Sequence, residues 1–257
     1  MRLVKDVRDW LALRRHMRGA WSFVRTRKRP LDVPNCDVSL QAGGTLRLRA
    51  STDDRQVFND VFARDVYGLG AATFGTVIDL GAHVGIFAVR AALVAKRVIC
   101  YEPFPASHEL LVENVRRFSH VTAVRRALGA RRGTVELFVG ELPSQNTVFP
   151  AMLEGAAAPV AVEMVALADV FEAHGVDHCS LLKIDCEGAE YDIVYGAPRD
   201  LWGRVGRVVM EYHRVPGAPA SWSGEALARH FAEMGYRTRL EPRSRHPGKG
   251  ILISQGA

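Results

Sequence analysis

Asp79, Gly81 and Gly85, within TVIDLGAHVG (76–85), have the spacing of a ligand-binding turn. Apolar Val77-Ile78 leads into the acid, and two glycines bracket a short turn before IFAVRAALVA, apolar at helical spacing. Strand, glycine turn, helix is the opening unit of a nucleotide-binding α/β sheet. Gly81 lets the backbone turn tightly and lie close to a ligand, and Gly85 lets the helix pack close to its strand. Asp79, at the carboxyl end of the strand, is placed to accept hydrogen bonds from a ligand. An ordinary βα turn has the same pattern, so the choice rests on residues further along.

Glu102 ends the next apolar run, 17 residues beyond Gly85. A carboxylate there accepts hydrogen bonds from both ribose hydroxyls in α/β nucleotide folds. The turn is not a dinucleotide fingerprint: His83 and Ile86 stand where G-x-G-x-x-G requires glycine. A pyrophosphate needs that bare backbone, and a ligand without phosphates does not. S-adenosylmethionine, an adenosine with an amino-acid tail and no phosphate, suits D-x-G-A-x-x-G followed by a ribose acid.

A second cluster lies in LLKIDCEGAE (181–190), where Lys183, Asp185, Glu187 and Glu190 crowd one turn. Helix N-terminal charge accounts for Glu187 and Glu190, but not for Lys183 and Asp185 inside an apolar strand. GRVVMEYH (206–213) ends in Glu211 and His213, again at the expected ligand edge. A histidine is the natural proton acceptor near neutral pH, although a lone histidine is as readily structural.

The elements that position these residues follow from periodicity. Residues 3–24 predict one amphipathic helix, with Leu3, Val7, Trp10, Leu11, Leu13, Met17 and Trp21 near one stripe and Pro30 and Pro34 beyond it. It reads as a capping helix, or as a lid or surface helix meeting an anionic substrate, a partner or a membrane face. A hairpin follows over 37–49, then a helix within 53–68 whose loop brings Tyr67 towards the ligand pocket. Strands are expected at 76–80, 97–103, 121–129, 133–140, 159–166, 180–185 and 206–213. Helices are expected at 84–95, 105–118, 167–174, after 190 and at 223–234, and a terminal strand pair, TRLEP and GILIS, closes the chain. This alternation predicts a mainly parallel α/β sheet with helices on both faces and a C-terminal antiparallel hairpin. An N-terminal region (1–70) would precede a ligand-binding domain (71–257).

The formal charge of +6 is uneven. Residues 1–30 hold ten Lys/Arg against Asp6 and Asp9, or +8, leaving −2 for the rest. A general nucleic-acid surface is therefore disfavoured against a local basic element. Cys36, Cys100, Cys179 and Cys186 have no metal spacing and read as reduced thiols, which with no signal-peptide pattern and no membrane-spanning run suggests a cytoplasmic protein. The N-terminal helix is the first place to look for a homodimer contact.

From about residue 50 to 214 the chain resembles the FkbM-type methyltransferases, a Rossmann-like S-adenosylmethionine-dependent family, which implies a seven-stranded Rossmann-like sheet. The resemblance lies in VIDLGAHVGIFA (77–88), YEPFP (101–105) with Glu113-Asn114, RRALGARRGTVELFV (125–139), LLKIDCEGAEYDIV (181–194) and VVMEYH (208–213). It implies that Asp79 and Gly81, with Ala82, His83 and Gly85, line the methionine and adenosine side. Glu102 would bind ribose beside Pro103, Arg126-Ala127 would border adenine, and Asp185 and Glu187 would sit near the methyl group. It further implies O-methylation of a sugar or natural-product hydroxyl; the first 50 residues and the 141–158 loop depart from the family pattern, and acceptor choice is expected there. An alcohol needs a base as it attacks, for which His213, Asp185 and Glu187 are the candidates in that order. Asp185 and Glu187 holding a divalent metal is an alternative. A nicotinamide oxidoreductase lacks its glycines, and a nucleic-acid methyltransferase lacks a base-flipping [DN]-P-P-[FYW] motif. A non-enzymatic scaffold and an N-methyltransferase remain rivals.

Overall fold

The computed structural model describes residues 2–26, 33–153, 158–242 and 248–256. Helix α1 (Arg2–Leu13) and helix α2 (Ala20–Thr26) replace the single helix expected over 3–24. The break is where the backbone leaves the helix to meet the hairpin. Met17 forms a bridge with Leu40, and the Arg18 N–H donates to the Ser39 carbonyl at 2.9 Å. Leu13 and Met17 are buried, but Leu11 and Trp21 of the expected stripe lie exposed. Pro30 lies outside the described residues. The hairpin itself, β1 (Asn35–Ser39) and β2 (Thr45–Arg49), is antiparallel as its alternation required. Helix α3 (Asp54–Phe62) follows.

The central sheet begins with β3 (Phe74–Leu80), whose last four residues are buried on both faces, as a parallel strand between helical layers demands. Helix α4 (Ile86–Ala92) is buried throughout. Then come β4 (Ala95–Tyr101), α5 (Pro105–Val115) and β5 (Val121–Val124). The strand expected over 121–129 divides at Arg125-Arg126: β6 (Ala127–Gly129) leaves the central sheet. It joins β7 (Gly133–Leu137) and β8 (Val160–Ala166) in a three-stranded sheet of order β6-β8-β7. The chain continues through α6 (Leu167–Ala173), β9 (Leu181–Ile184), α7 (Glu190–Gly196), β10 (Arg207–Tyr212) and α8 (Gly224–Glu233). It ends with β11 (Arg237–Pro242) and β12 (Gly250–Gln255).

The seven-stranded order is β11-β12-β10-β9-β3-β4-β5, with β12 antiparallel to both neighbours. Apolar clusters cover the two faces. One joins the N-terminal helices and hairpin to α3 and α4, and the other packs α6, α7 and α8. Strand order reverses between β3 and β9, and α/β sheets open a ligand crevice at such a point. No helix among the described residues is long and apolar enough to cross a membrane.

Candidate active site

A cavity opens at the carboxyl ends of β3, β4, β9 and β10, roofed by α3 and by the segment 144–148. Its geometry starts at Gly81, whose φ is +78°. A Cβ there would stand 1.8 Å from the Asp185 carbonyl oxygen, so only glycine lets the β3 and β9 ends meet. Gly85, at φ +85°, sits behind the cavity, where a Cβ would press on Leu111. Each glycine thus serves close packing, Gly81 against the end of β9 and Gly85 against α5 rather than against its own strand.

On the β4 side Glu102 is buried and accepts two backbone N–H groups, from His83 at 2.8 Å and Phe104 at 3.0 Å. Burial pushes its pKa up to about 7, although both donors favour the carboxylate. His83 is itself left-handed, at φ +53°. Its ring meets Arg49 and lies 3.6 Å from Asp54, and burial lowers its pKa to about 4 against the pull of Asp54. Tyr101, Ala127, Leu128 and Leu137 form an apolar wall beside this carboxylate, and Pro103 edges it.

The β9 side is a chain of charges. Lys183 Nζ lies 3.0 Å from Asp79 Oδ1, 3.8 Å from Asp185 Oδ2, and donates to the Gly81 carbonyl at 2.8 Å. Burial disfavours the ammonium, but the two carboxylates outweigh it and hold the Lys183 pKa above its ordinary value. Asp185 also accepts the Tyr67 hydroxyl at 2.8 Å. Glu187, at φ +44°, places its carboxylate 3.2 Å from His213 Nε2. The other ring nitrogen, Nδ1, lies 3.0 Å from Glu190 Oε1. Glu190 in turn accepts the Cys186 and Gly188 N–H groups. From just before β12, Lys249 reaches Glu211 at 2.7 Å and Glu187 at 3.9 Å.

This arrangement bears on the role expected of His213. Burial works against its imidazolium, but Glu187 and Glu190 outweigh burial and hold its pKa well above the usual value. The ring is 3% exposed and lies behind the cavity, between the two carboxylates. Asp185 and Glu187 face the cavity instead; burial opposes their charge, but neighbouring cations keep both pKa values low.

The remaining expected residues fall in three places. Ala82, His83, Glu102, Pro103, Ala127, Asp185 and Glu187 line the cavity with Gly81. Asp79 lies fully buried beneath it, facing Lys183. Arg126 turns to the outer surface, where it pairs with Glu163 at 2.8 Å rather than bordering the cavity. For the metal alternative, the one group of three among the described residues close enough to share a cation is Asp185, Glu190 and His213, which does not include Glu187. Glu190 is already committed to two N–H groups and the imidazolium, so no metal is assigned.

Sequence reasoning did not single out Asp53, Gln56, Asn146 or Lys249, all of which line the cavity. They come from α3, the 141–158 loop and the stretch before β12, which carry no motif. The donor set has a clear electrostatic preference. Glu102, Asp185 and Glu187 present carboxylates to the cavity, while Lys183 and Lys249 are taken by acids. Such a lining suits a cationic ligand without phosphates, as a sulfonium with an ammonium tail is.

Fold and site together define a Rossmann-like methyltransferase. Residues 79–238 match the Methyltransferase FkbM domain, and the chain belongs to that family. It is thus an S-adenosylmethionine-dependent methyltransferase, and the family implies a small-molecule acceptor. It is 26% identical over 190 residues to methyltransferase sdnD of Sordaria araneosa, covering 61% of this chain and 72% of that one. It is 26% identical over 215 residues to the 31-O-demethyl-FK506 methyltransferase FkbM of Streptomyces tacrolimicus, covering 70% and 83%. The fold is similar to the crystal structure of methyltransferase FkbM from Methylobacillus flagellatus, with a TM-score of 0.52 and 14% identity. That match takes in 98% of this chain but spans only 59% of the other.

Proposed function

We propose that this protein is an O-methyltransferase acting on a hydroxyl of a sugar or natural product. Bound S-adenosylmethionine supplies a sulfonium methyl, which needs alignment more than activation. The proposed adenosine half is the β3–β4 side, with Glu102 accepting from the ribose hydroxyls and the backbone of Gly81, Ala82 and His83 lying alongside. Asp79 acts at one remove: it holds Lys183, which holds the Gly81 carbonyl.

The observation that carries the reading is the pair of ionised carboxylates, Asp185 and Glu187, at the cavity opposite Glu102. An attacking hydroxyl donates to one of them and passes its proton there as the new bond forms. Asp185 is our first choice, since Tyr67 and Lys183 fix its orientation. His213 is a positioning residue, which holds Glu187 in place from behind. The Streptomyces relative is named for an O-demethyl acceptor, which favours oxygen over nitrogen as the target.

The test is transfer of labelled methyl from S-adenosylmethionine to a panel of glycosides, hydroxylated macrolactones and amines. Methyl ethers are expected, with Asp185→Asn slower by roughly a hundredfold or more. N-methyl products, or full activity in Asp185→Asn, would overturn the assignment. Cofactor binding without transfer to any acceptor would favour the scaffold reading.

A further inference from the structure

The two N-terminal helices leave an apolar stripe exposed among charges of one sign. In α1, Val4, Arg8 and Leu11 follow i, i+4, i+7 spacing and share one face. Val4 is 74% and Leu11 41% exposed. The opposite face holds the helix to the body. Leu13 is buried there, and Asp9 accepts the Asn59 amide at 3.2 Å and meets Arg64 at 3.6 Å. The outer stripe continues onto α2 through Trp10 and Trp21, whose rings meet edge to face at 5.9 Å. The Arg14 guanidinium stands 5.5 Å from the centre of the Trp10 ring, and Trp21 is 40% exposed.

Single exposed apolar side chains are ordinary on a protein surface, so the charges around these decide their meaning. Within residues 4–26 the exposed charged side chains are Lys5, Arg8, Arg14, Arg15, Arg18 and Arg25. The two acids of that segment are withdrawn: Asp6 is half-buried and Asp9 buried. Beyond residue 30 the chain sums to −2, so the positive field belongs to this end of the molecule. Among the described residues, none from α1 or α2 lines the cavity, so these cations do not serve the ligand bound there.

We propose that the outer face of α1 and α2 docks the protein on an anionic lipid bilayer. Val4, Leu11 and Trp21 enter the boundary between headgroups and acyl chains, a region that suits an indole's apolar body and polar N–H. The arginines lay their stems along the apolar stripe and reach the lipid phosphates with their guanidinium groups. A second copy of the chain fits this face badly, because a symmetric contact would set the same cations against one another. A nucleic acid would take the arginines, but its phosphate backbone offers nothing to Val4 and Leu11. An anionic bilayer answers both the charge and the apolar stripe. The inference does not depend on the reaction proposed above.

The experiment sediments the full chain with sucrose-loaded vesicles of phosphatidylcholine, with and without about one-third phosphatidylglycerol, in about 0.1 M salt. The protein is expected to bind the anionic vesicles at least about tenfold tighter than the neutral ones, and to weaken by about tenfold or more at about 0.5 M salt. Each basic residue near the surface is worth about fivefold, so Arg8→Gln combined with Arg15→Gln should weaken binding by about tenfold or more. Leu11→Ser should weaken it by about fivefold, a loss that charge alone does not produce. All of these side chains are exposed, so the variants should unfold at the wild-type temperature. No binding of the folded wild type to anionic vesicles, equal binding to neutral ones, or indifference to both variants would overturn the proposal. So would a lipid-free dimer in sedimentation equilibrium that Leu11→Ser dissociates, which would give the face to a second copy. Binding to a DNA duplex in place of vesicles, lost in the arginine variant and kept in Leu11→Ser, would overturn it in favour of a nucleic acid.

Discussion

His213 holds Nδ1 3.0 Å from Glu190 Oε1, one of the two carboxylates that hold its pKa well above the usual value. Its second contact, to Glu187 at 3.2 Å, ties the turn after β9 to the end of β10.

That pairing has a defined pH signature. A group with a raised folded pKa contributes stability fully below its unfolded value, here 6.5, and loses it as pH rises through the folded value. The Glu187 carboxylate is lowered, so its share is present above 4.5 and lost as pH falls through its folded value. His213→Gln leaves buried acids uncompensated and should destabilise by about 3–5 kcal/mol near pH 6. The gap between variant and wild type should narrow as pH rises well above neutrality. Urea unfolding at several pH values measures it; a gap that stays constant with pH would refute an imidazolium.

Lys183 and Asp79 form a buried pair under the glycine turn. Lys183→Met should cost about 3–5 kcal/mol, because it strands the Asp79 carboxylate and frees the Gly81 carbonyl. Adding Asp79→Asn should recover part of the loss. Chemical denaturation of the four members of this cycle gives the coupling, and additive effects would show that the pair is not coupled.

Gly81→Ala should be the most damaging small substitution, by more than about 3 kcal/mol, since both φ and the Asp185 carbonyl oppose a Cβ. Gly133→Ala, where a Cβ meets nothing within 4 Å, should stay within about 0.5 kcal/mol. Thermal unfolding of both variants tests the contrast, which a mild Gly81→Ala would contradict.

The parts of the site that the sequence made legible are those where one short segment fixes a geometry. Gly81 and Gly85 announce a βα turn, and Glu102 announces a strand end, because strand and helix periods switch beside them. Lys183 stood out only as a charge inside an apolar run, since its partner Asp79 is 104 residues away in the chain. The neighbours that bear on the protonation of His213, Glu187 and Glu190, were hidden for the same reason, since only tertiary packing brings them to it. Asp53, Gln56 and Asn146 carried no local signal, being ordinary polar residues on a helix start and a loop. Arg126 went astray because the chain changes sheet at Arg125-Arg126, a switch that an unbroken β pattern does not reveal.

The most direct test of the site is calorimetric titration with S-adenosylhomocysteine at pH 6 and pH 8, on wild type and Glu102→Gln. Free Glu102 has a pKa pushed up to about 7, and ribose hydroxyls donate best to its ionised form. Wild-type affinity should therefore rise by about five- to tenfold from pH 6 to pH 8. Glu102→Gln should bind at least about tenfold more weakly at pH 8 and lose the pH dependence. Wild-type affinity unchanged by Glu102→Gln, or no binding by the folded wild type, would contradict the placing of ribose at the end of β4.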